Sequence, residues 1–209
     1  MGPGRTRVEI EFRAAQKNWS MADQYVRAPA NQRQLAQFAK AILKQRRDAT
    51  FVDPGIKGRA QAGKKQLRYE YQDGAEFTDI VRGGFVVQHP KTADEIVDML
   101  ASQYDIIDKG WVRQPNGYID RKVLVRFADG QVGEVQFWSP RLYEAAKKTR
   151  PLYERTRDPR TPRHDIAALN RQTEVIISAA LAGETGEWKQ FLGLATRQKR
   201  EPRLVKRKR

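Results

Sequence analysis

The chain of 209 residues contains no cysteine and two histidines, His89 and His164. Disulfides, thiolate nucleophiles and thiolate metal sites are therefore excluded, and histidine offers too few groups for a metal cluster. His89-Pro90 reads as a turn at a strand end, and His164, between Arg163 and Asp165, as a helix-start residue. Chemistry then falls to carboxylates and cations. Two acidic residues are placed for it: Asp79, opening a β-branched run with paired glycines, and Glu134, inside the alternating run 131–138. In that second run Val135 and Phe137 share one strand face, while Glu134 and Gln136 share the other. Two carboxylates meeting across a sheet beside the cation-rich segment 57–68 would form a site for Mg²⁺ and a polyphosphate. Carboxylate oxygens hold the hard cation, and Lys and Arg neutralise the remaining phosphate charge. Taken alone, a strand glutamate is usually a solvated surface group, and Asp79 a turn residue.

The elements that would position these residues follow from periodicity. Residues 1–29 suggest a short strand or helix. Residues 31–48 carry Leu35, Phe38, Ala39, Ile42 and Leu43 at helical spacing with a basic opposite face, and 51–55 break that helix. Residues 66–71 alternate as a strand would, and 77–88 form a second strand. Thr92-Ala93-Asp94-Glu95 reads as a capping box opening a helix with Ile96, Val97, Leu100 and Tyr104 on one side. Residues 104–112 read as a short strand or an approach loop. Pro115-Asn116-Gly117 is a turn, 118–127 a strand, Asp129-Gly130 a hairpin signal and 131–138 the return strand. Ser139-Pro140 supplies an N-cap and first position for a helix over 141–148, which Pro151 breaks or kinks. Asp165 is placed to cap a final helix. The order implies an α+β fold with a mixed β-sheet flanked by helices. It divides into an N-terminal helical segment (1–49), a core with C-terminal helices (50–196) and a basic tail (197–209).

Lys and Arg number 40 against 25 Asp and Glu, a formal charge of +15 with a pI near 10.2. The tail holds eight cations and one Glu, so +7 lies there and +8 on the rest. Such a balance points to a polyanionic partner, nucleotide phosphates or RNA, and the tail reads as a solvated extension. Hydrophobic residues, at 39%, suffice for one packed core. No run is long and apolar enough for a membrane helix, and the first sixteen residues lack the apolar region of a signal peptide.

Four segments in order, KGRAQAGKK (57–65), TDIVRGGFVV (78–87), PNGYIDRKVLV (115–125) and GEVQFWS (133–139), resemble the synthetase domain of RelA/SpoT nucleotidyltransferases. The resemblance covers about residues 50–155 and implies that fold, with transfer of pyrophosphate from ATP, with Mg²⁺, to a ribose 3′-hydroxyl. By position it makes Asp79 and Glu134 the metal-binding and catalytic carboxylates. Lys57, Arg59, Lys64, Lys65 and Arg82 become the ATP-binding cations. Tyr118 becomes the ring that stacks on the acceptor base, with Arg121, Lys122 and Gln136 beside it.

Three positions depart from the family pattern. The Arg expected five residues after Asp79 is Gly84, leaving Arg82 to serve from one pleat away. The usual Tyr-Arg-Ser reads Tyr118-Ile119-Asp120, which removes a phosphate-binding Arg and adds an acid. The Arg expected after Glu-x-Gln is replaced by Trp138. A stand-alone alarmone synthetase is the implied activity, with a guanine or adenine nucleotide as acceptor. A tRNA 3′ end is the alternative acceptor, and a non-catalytic basic RNA-binding protein on the same fold is the rival. Likeness to small toxin- or phage-associated members adds an immunity or antitoxin partner, a cytoplasmic site of action, no membrane association and delivery within a larger polypeptide as expectations.

Overall fold

A computed structural model describes residues 6–69, 76–195 and 202–207. Six strands form one mixed sheet in the order β1-β2-β5-β4-β3-β6. They are β1 (Ala49–Val52), β2 (Arg82–Val87), β3 (Asp105–Arg113), β4 (Ile119–Arg126), β5 (Val132–Trp138) and β6 (Arg203–Val205). β2 and β5 are parallel, and every other pair is antiparallel. The helices are α1 (Arg7–Phe12), α2 (Met21–Gln45), α3 (Arg59–Tyr69), α4 (Pro90–Gln103), α5 (Pro140–Thr156), α6 (Arg163–Ala182) and α7 (Gly186–Ala195). The expected α+β architecture with a helix-flanked mixed sheet is the one observed.

The sheet has two unlike faces. Phe85, Val87, Val123, Val125, Val135 and Phe137 belong to the main core with Leu35, Ile42, Ile96 and Leu100 of α2 and α4. On the other face Ile107, Leu124 and Val132 pack with Phe12 of α1 in a small cluster of their own. Beyond that cluster, the same face carries Glu134, Gln136, Lys122 and Arg82, which alternation forces away from the main core. The Asp129-Gly130 hairpin forms as expected, with Gly130 at φ +88°, a left-handed conformation that favours glycine.

Several elements differ from their sequence expectation for identifiable reasons. α2 starts ten residues early, at Met21, because Ser20 and Asp23 make a reciprocal capping box, and it continues through Pro29. Segment 59–69 is a helix rather than a loop ending in a strand. Its Ala, Gln, Lys, Leu and Arg residues favour helix, and six alternating residues do not outweigh that; residues 70–71 lie outside the described residues. α4 begins at Pro90 with His89 as N-cap, so Thr92 is already inside it and its hydroxyl bonds Asp48 instead. α5 runs through Pro151, and α6 opens on Pro162, with Asp165 in its first turn and no side-chain cap. The basic C-terminal segment, expected as a solvated extension, contributes β6 at the sheet edge, against Ile106, Ile107 and Asp108.

Candidate active site

Asp79 lies three residues before β2, in a segment fixed from several sides. The Lys57 N–H donates to the Ile80 carbonyl at 2.9 Å, and the Glu134 N–H donates to the Val81 carbonyl at 3.0 Å. Gln16, fully buried, donates to the Phe77 carbonyl (3.1 Å) and accepts from the Val132 N–H, tying the approach to Asp79 to the strand bearing Glu134. Gln32 of α2 accepts from the Arg82 N–H and donates to the Arg82 carbonyl and to Asp53. Tyr25, also on α2, donates its hydroxyl to the Lys57 carbonyl at 2.6 Å. Gln16, Gln32 and Tyr25 escape sequence reading because their partners are distant in the chain.

This framework brings cations onto Asp79. Lys57 Nζ lies 2.6 Å from one carboxylate oxygen and Lys65 Nζ 2.9 Å from the other. Burial alone would raise the Asp79 carboxyl, but the Lys65 and Lys57 ammoniums outweigh it and hold it at about 2. Arg82, in register with Glu134 on the neighbouring strand, lies in the fields of Asp79, Glu134, Tyr25 and Arg150. Arg82 is thus within electrostatic reach of both carboxylates, and its guanidinium bonds the Gly55 carbonyl. Arg150, on α5, is a further cation of this group that spacing along the chain did not reveal.

Other expected ATP cations are distributed differently. Arg59 stacks over the Tyr25 ring at 4.4 Å, and the Tyr25 hydroxyl also lies in the fields of Asp79 and Arg82. Lys64 is exposed and acts on Asp158 beyond α5. It is the immediate chain neighbour of Lys65, and a step of one position rotates it about 100° around the helix.

On the acceptor side the structure corrects one assignment. Arg121 does not reach this face: it pairs with Phe137 in the β-ladder and points to the opposite side of the sheet. There its guanidinium bonds Asp108 (3.0 and 2.6 Å) and Asp94 (2.5 Å). Alternation, which puts Lys122 on the site face, necessarily removes its neighbour. Lys122 lies 3.5 Å from Asp120, and Gln136 donates to the same carboxylate oxygen at 3.0 Å. Asp120 is 0% exposed, and its second oxygen has no hydrogen-bond partner. Burial and the Glu134 charge push its carboxyl up to about 6, against the pull of Lys122.

Trp138 connects two of the departures from the family pattern. A Cβ built on Gly84 would come within 2.3 Å of the Trp138 six-membered ring, so the indole lies directly on the β2 backbone. Position 84 has room for Trp138 or for its own side chain, not both. The indole N–H donates to the Tyr118 hydroxyl at 2.9 Å, and Tyr143 packs against the ring at 5.4 Å. Tyr118 is half-buried. Burial, then the nearby Asp120 charge, raises its phenol.

Asp79 and Glu134 offer oxygen ligands, the kind Mg²⁺ takes one or two at a time, leaving its other positions to water and phosphates. Among the described residues no group of three or more His, Cys, Asp or Glu is arranged for a metal ion. A cation here would thus depend on ligand phosphates, which suits Mg²⁺ in a nucleotide site.

Comparison with known proteins places the fold. The chain is similar to a chain of the complex between the type VI effector Tas1 and its immunity protein, with TM-score 0.57 and 19% identity over 78% of this chain and 96% of that one. It is similar to small alarmone synthetase 1 of Bacillus subtilis bound to its product pppGpp (TM-score 0.56, 16% identity, 82% and 97% of the two chains). A GTP pyrophosphokinase family protein of Streptococcus pneumoniae gives TM-score 0.55 and 19% identity over 91% and 97%. No protein-family model matches the sequence, and neither does any curated protein. The fold is that of the RelA/SpoT-type synthetases.

Proposed function

We propose that this chain is a RelA/SpoT-like pyrophosphokinase, transferring the terminal pyrophosphate of ATP to a ribose 3′-hydroxyl. What supports this reading is that Lys57 and Lys65 close on Asp79 while Arg82 lies in the fields of both Asp79 and Glu134. An ATP triphosphate brings the negative charge that Lys57, Lys65 and Arg82 are placed to neutralise, with Arg150 at the margin. As the lysines turn to phosphate oxygens they leave the Asp79 carboxylate free for other ligands. Asp79 and Glu134 would hold Mg²⁺, which when bound neutralises phosphate charge. Glu134, half-exposed beside Gln136, is placed to take the proton of the attacking hydroxyl. The new bond joins the 3′-oxygen to the β-phosphorus, the bond between that phosphorus and the α-phosphate oxygen breaks, and AMP leaves. Positioning and charge neutralisation carry such a transfer, without a covalent intermediate.

The Tas1 complex supports a further part of the reading, a growth-inhibiting role for this chain at a cytoplasmic target with an immunity protein as partner. The test is incubation with labelled ATP and Mg²⁺ together with GDP or GTP, with AMP, ADP or ATP, or with tRNA. AMP release matched by a labelled acceptor is expected, and Glu134→Gln is expected to reduce it at least about 100-fold. Activity that survives Glu134→Gln overturns the site. Salt-sensitive RNA binding without AMP would favour a non-catalytic RNA-binding protein.

A further inference from the structure

α3 carries Lys65 to Asp79, yet apolar packing does little to hold that helix in place. Ala62 is its one buried residue, and Leu67 is 81% exposed. Read at helical spacing from Ala62, its inward face is Lys65, Gln66 and Tyr69. At the start of the helix Arg59 stacks on Tyr25. At the other end the contacts run to the last turn of α5. The Arg157 guanidinium donates to the Tyr69 hydroxyl at 2.9 Å, and Arg68 donates to the Arg157 carbonyl at 3.0 Å. The Tyr69 ring lies near both guanidiniums, 6.0 Å from that of Arg68 and 5.9 Å from that of Arg157. Arg157 is itself well fixed, since its guanidinium lies over the Tyr153 ring, one turn back on α5, at 4.1 Å. Its backbone caps α5 in a turn that Asp158 closes on the Arg160 N–H and guanidinium, and the Thr161 hydroxyl on the Arg155 carbonyl. α5 follows β5 through Ser139 alone, so Arg157 ends the same continuous strand–helix unit that carries Glu134.

We infer that Arg157 is a positioning residue for the ATP site: it anchors α3 to α5 so that Lys65 stays within reach of the phosphates. The inference rests on the transfer reading, in which Lys65 leaves Asp79 for the triphosphate. The Lys65–Asp79 ion pair also holds α3 to the segment before β2. Once Lys65 turns to phosphate that tie is gone, and the Arg157 contacts carry more of the restraint on the helix. Tyr69 stands one helical turn from Lys65, on the same face, so fixing its hydroxyl fixes the direction in which Lys65 leaves the helix. A lysine loses rotamer freedom when it grips a phosphate, and a backbone already in place keeps the ordering cost to that side chain. Arg157 acts through the helix and not on the nucleotide, because its guanidinium is committed to Tyr69 and Tyr153.

The experiment is a double-mutant cycle on binding, so it does not depend on turnover. The full chain is titrated calorimetrically with the α,β-methylene analogue of ATP and Mg²⁺, as wild type, Arg157→Ala, Lys65→Met and the double variant. Arg157→Ala is expected to weaken binding at least about fivefold in the wild-type background and less than about twofold in the Lys65→Met background. Tyr69→Phe, which removes the hydroxyl and no charge, is expected to weaken it at least about twofold, again only where Lys65 is present. Equal losses in both backgrounds would show that Arg157 acts on the ligand by its own charge. Unchanged affinity would show that the contact stabilises the fold without placing Lys65. Either result overturns the inference and leaves the ATP site standing. Should Arg157→Ala fail to fold, Tyr69→Phe in the two Lys65 backgrounds carries the same test. A wild-type chain that does not bind the analogue overturns the transfer reading, and this inference with it.

Discussion

Asp79 and Asp120 are buried aspartates whose environments act in opposite directions. Asp79 is held at about 2, against an ordinary value of 3.8, because two ammoniums outweigh its burial. Its ion pairs therefore contribute full stability above about pH 4, and that contribution is lost as pH falls toward 2. Asp120 is held at about 6, pushed up by burial and by Glu134 against the pull of Lys122. Its folded form takes up a proton that the unfolded chain does not hold until about pH 4. Stability is therefore expected to rise as pH falls from 7.5 to 5, by about 1–3 kcal/mol from this group. Asp120→Asn should remove that rise while leaving the acid loss below pH 4 in place. Urea unfolding at pH 7.5, 5 and 3 checks both signs, and an unchanged slope between 7.5 and 5 in the variant would refute the assignment.

At the scale of elements, the site depends on two close fits. Gly84 lets the Trp138 ring lie on β2, so Gly84→Ala should cost about 1–3 kcal/mol through overpacking. In a Trp138→Ala background the same substitution should cost at least about 1 kcal/mol less, since the ring it meets is gone. Additive losses in thermal unfolding would mean that the ring and the glycine do not interact. Gln16 joins the Phe77 carbonyl to the Val132 N–H inside the protein. Gln16→Ala leaves both groups without that partner and should destabilise by about 1–3 kcal/mol. Because it connects the approaches to Asp79 and Glu134, it should also lower the transferase rate at 15 °C, where the variant remains folded. A variant of full activity would show that the tie stabilises without positioning.

In the molecule as a whole, β6 closes the β3 edge at the far side of the sheet from β1 and β2. Removing residues 202–209 exposes the β3 ladder at Ile106, Ile107 and Asp108, with an expected loss of about 1–3 kcal/mol and a greater tendency to self-associate. Transfer activity should stay within twofold of the full chain; a larger loss would tie the basic end to the site. The hairpin, the two faces of β5 and the helix over α4 were legible in the sequence because period-two alternation, Asp129-Gly130 and apolar spacing are local signals. The same local reading took the end of α3 for a strand and missed the first part of α2, and the family resemblance placed Arg121 at the acceptor, on the wrong face. By itself the sequence determined the chemistry available, with carboxylates and cations and no thiol, and the strand face on which Glu134 and Gln136 stand, since side-chain type and backbone period are properties of neighbouring residues. Tertiary structure alone decided that two lysines close on Asp79, that Trp138 lies on Gly84 and that Asp120 is fully buried. Those outcomes depend on which distant segments share a boundary and how much water remains between them.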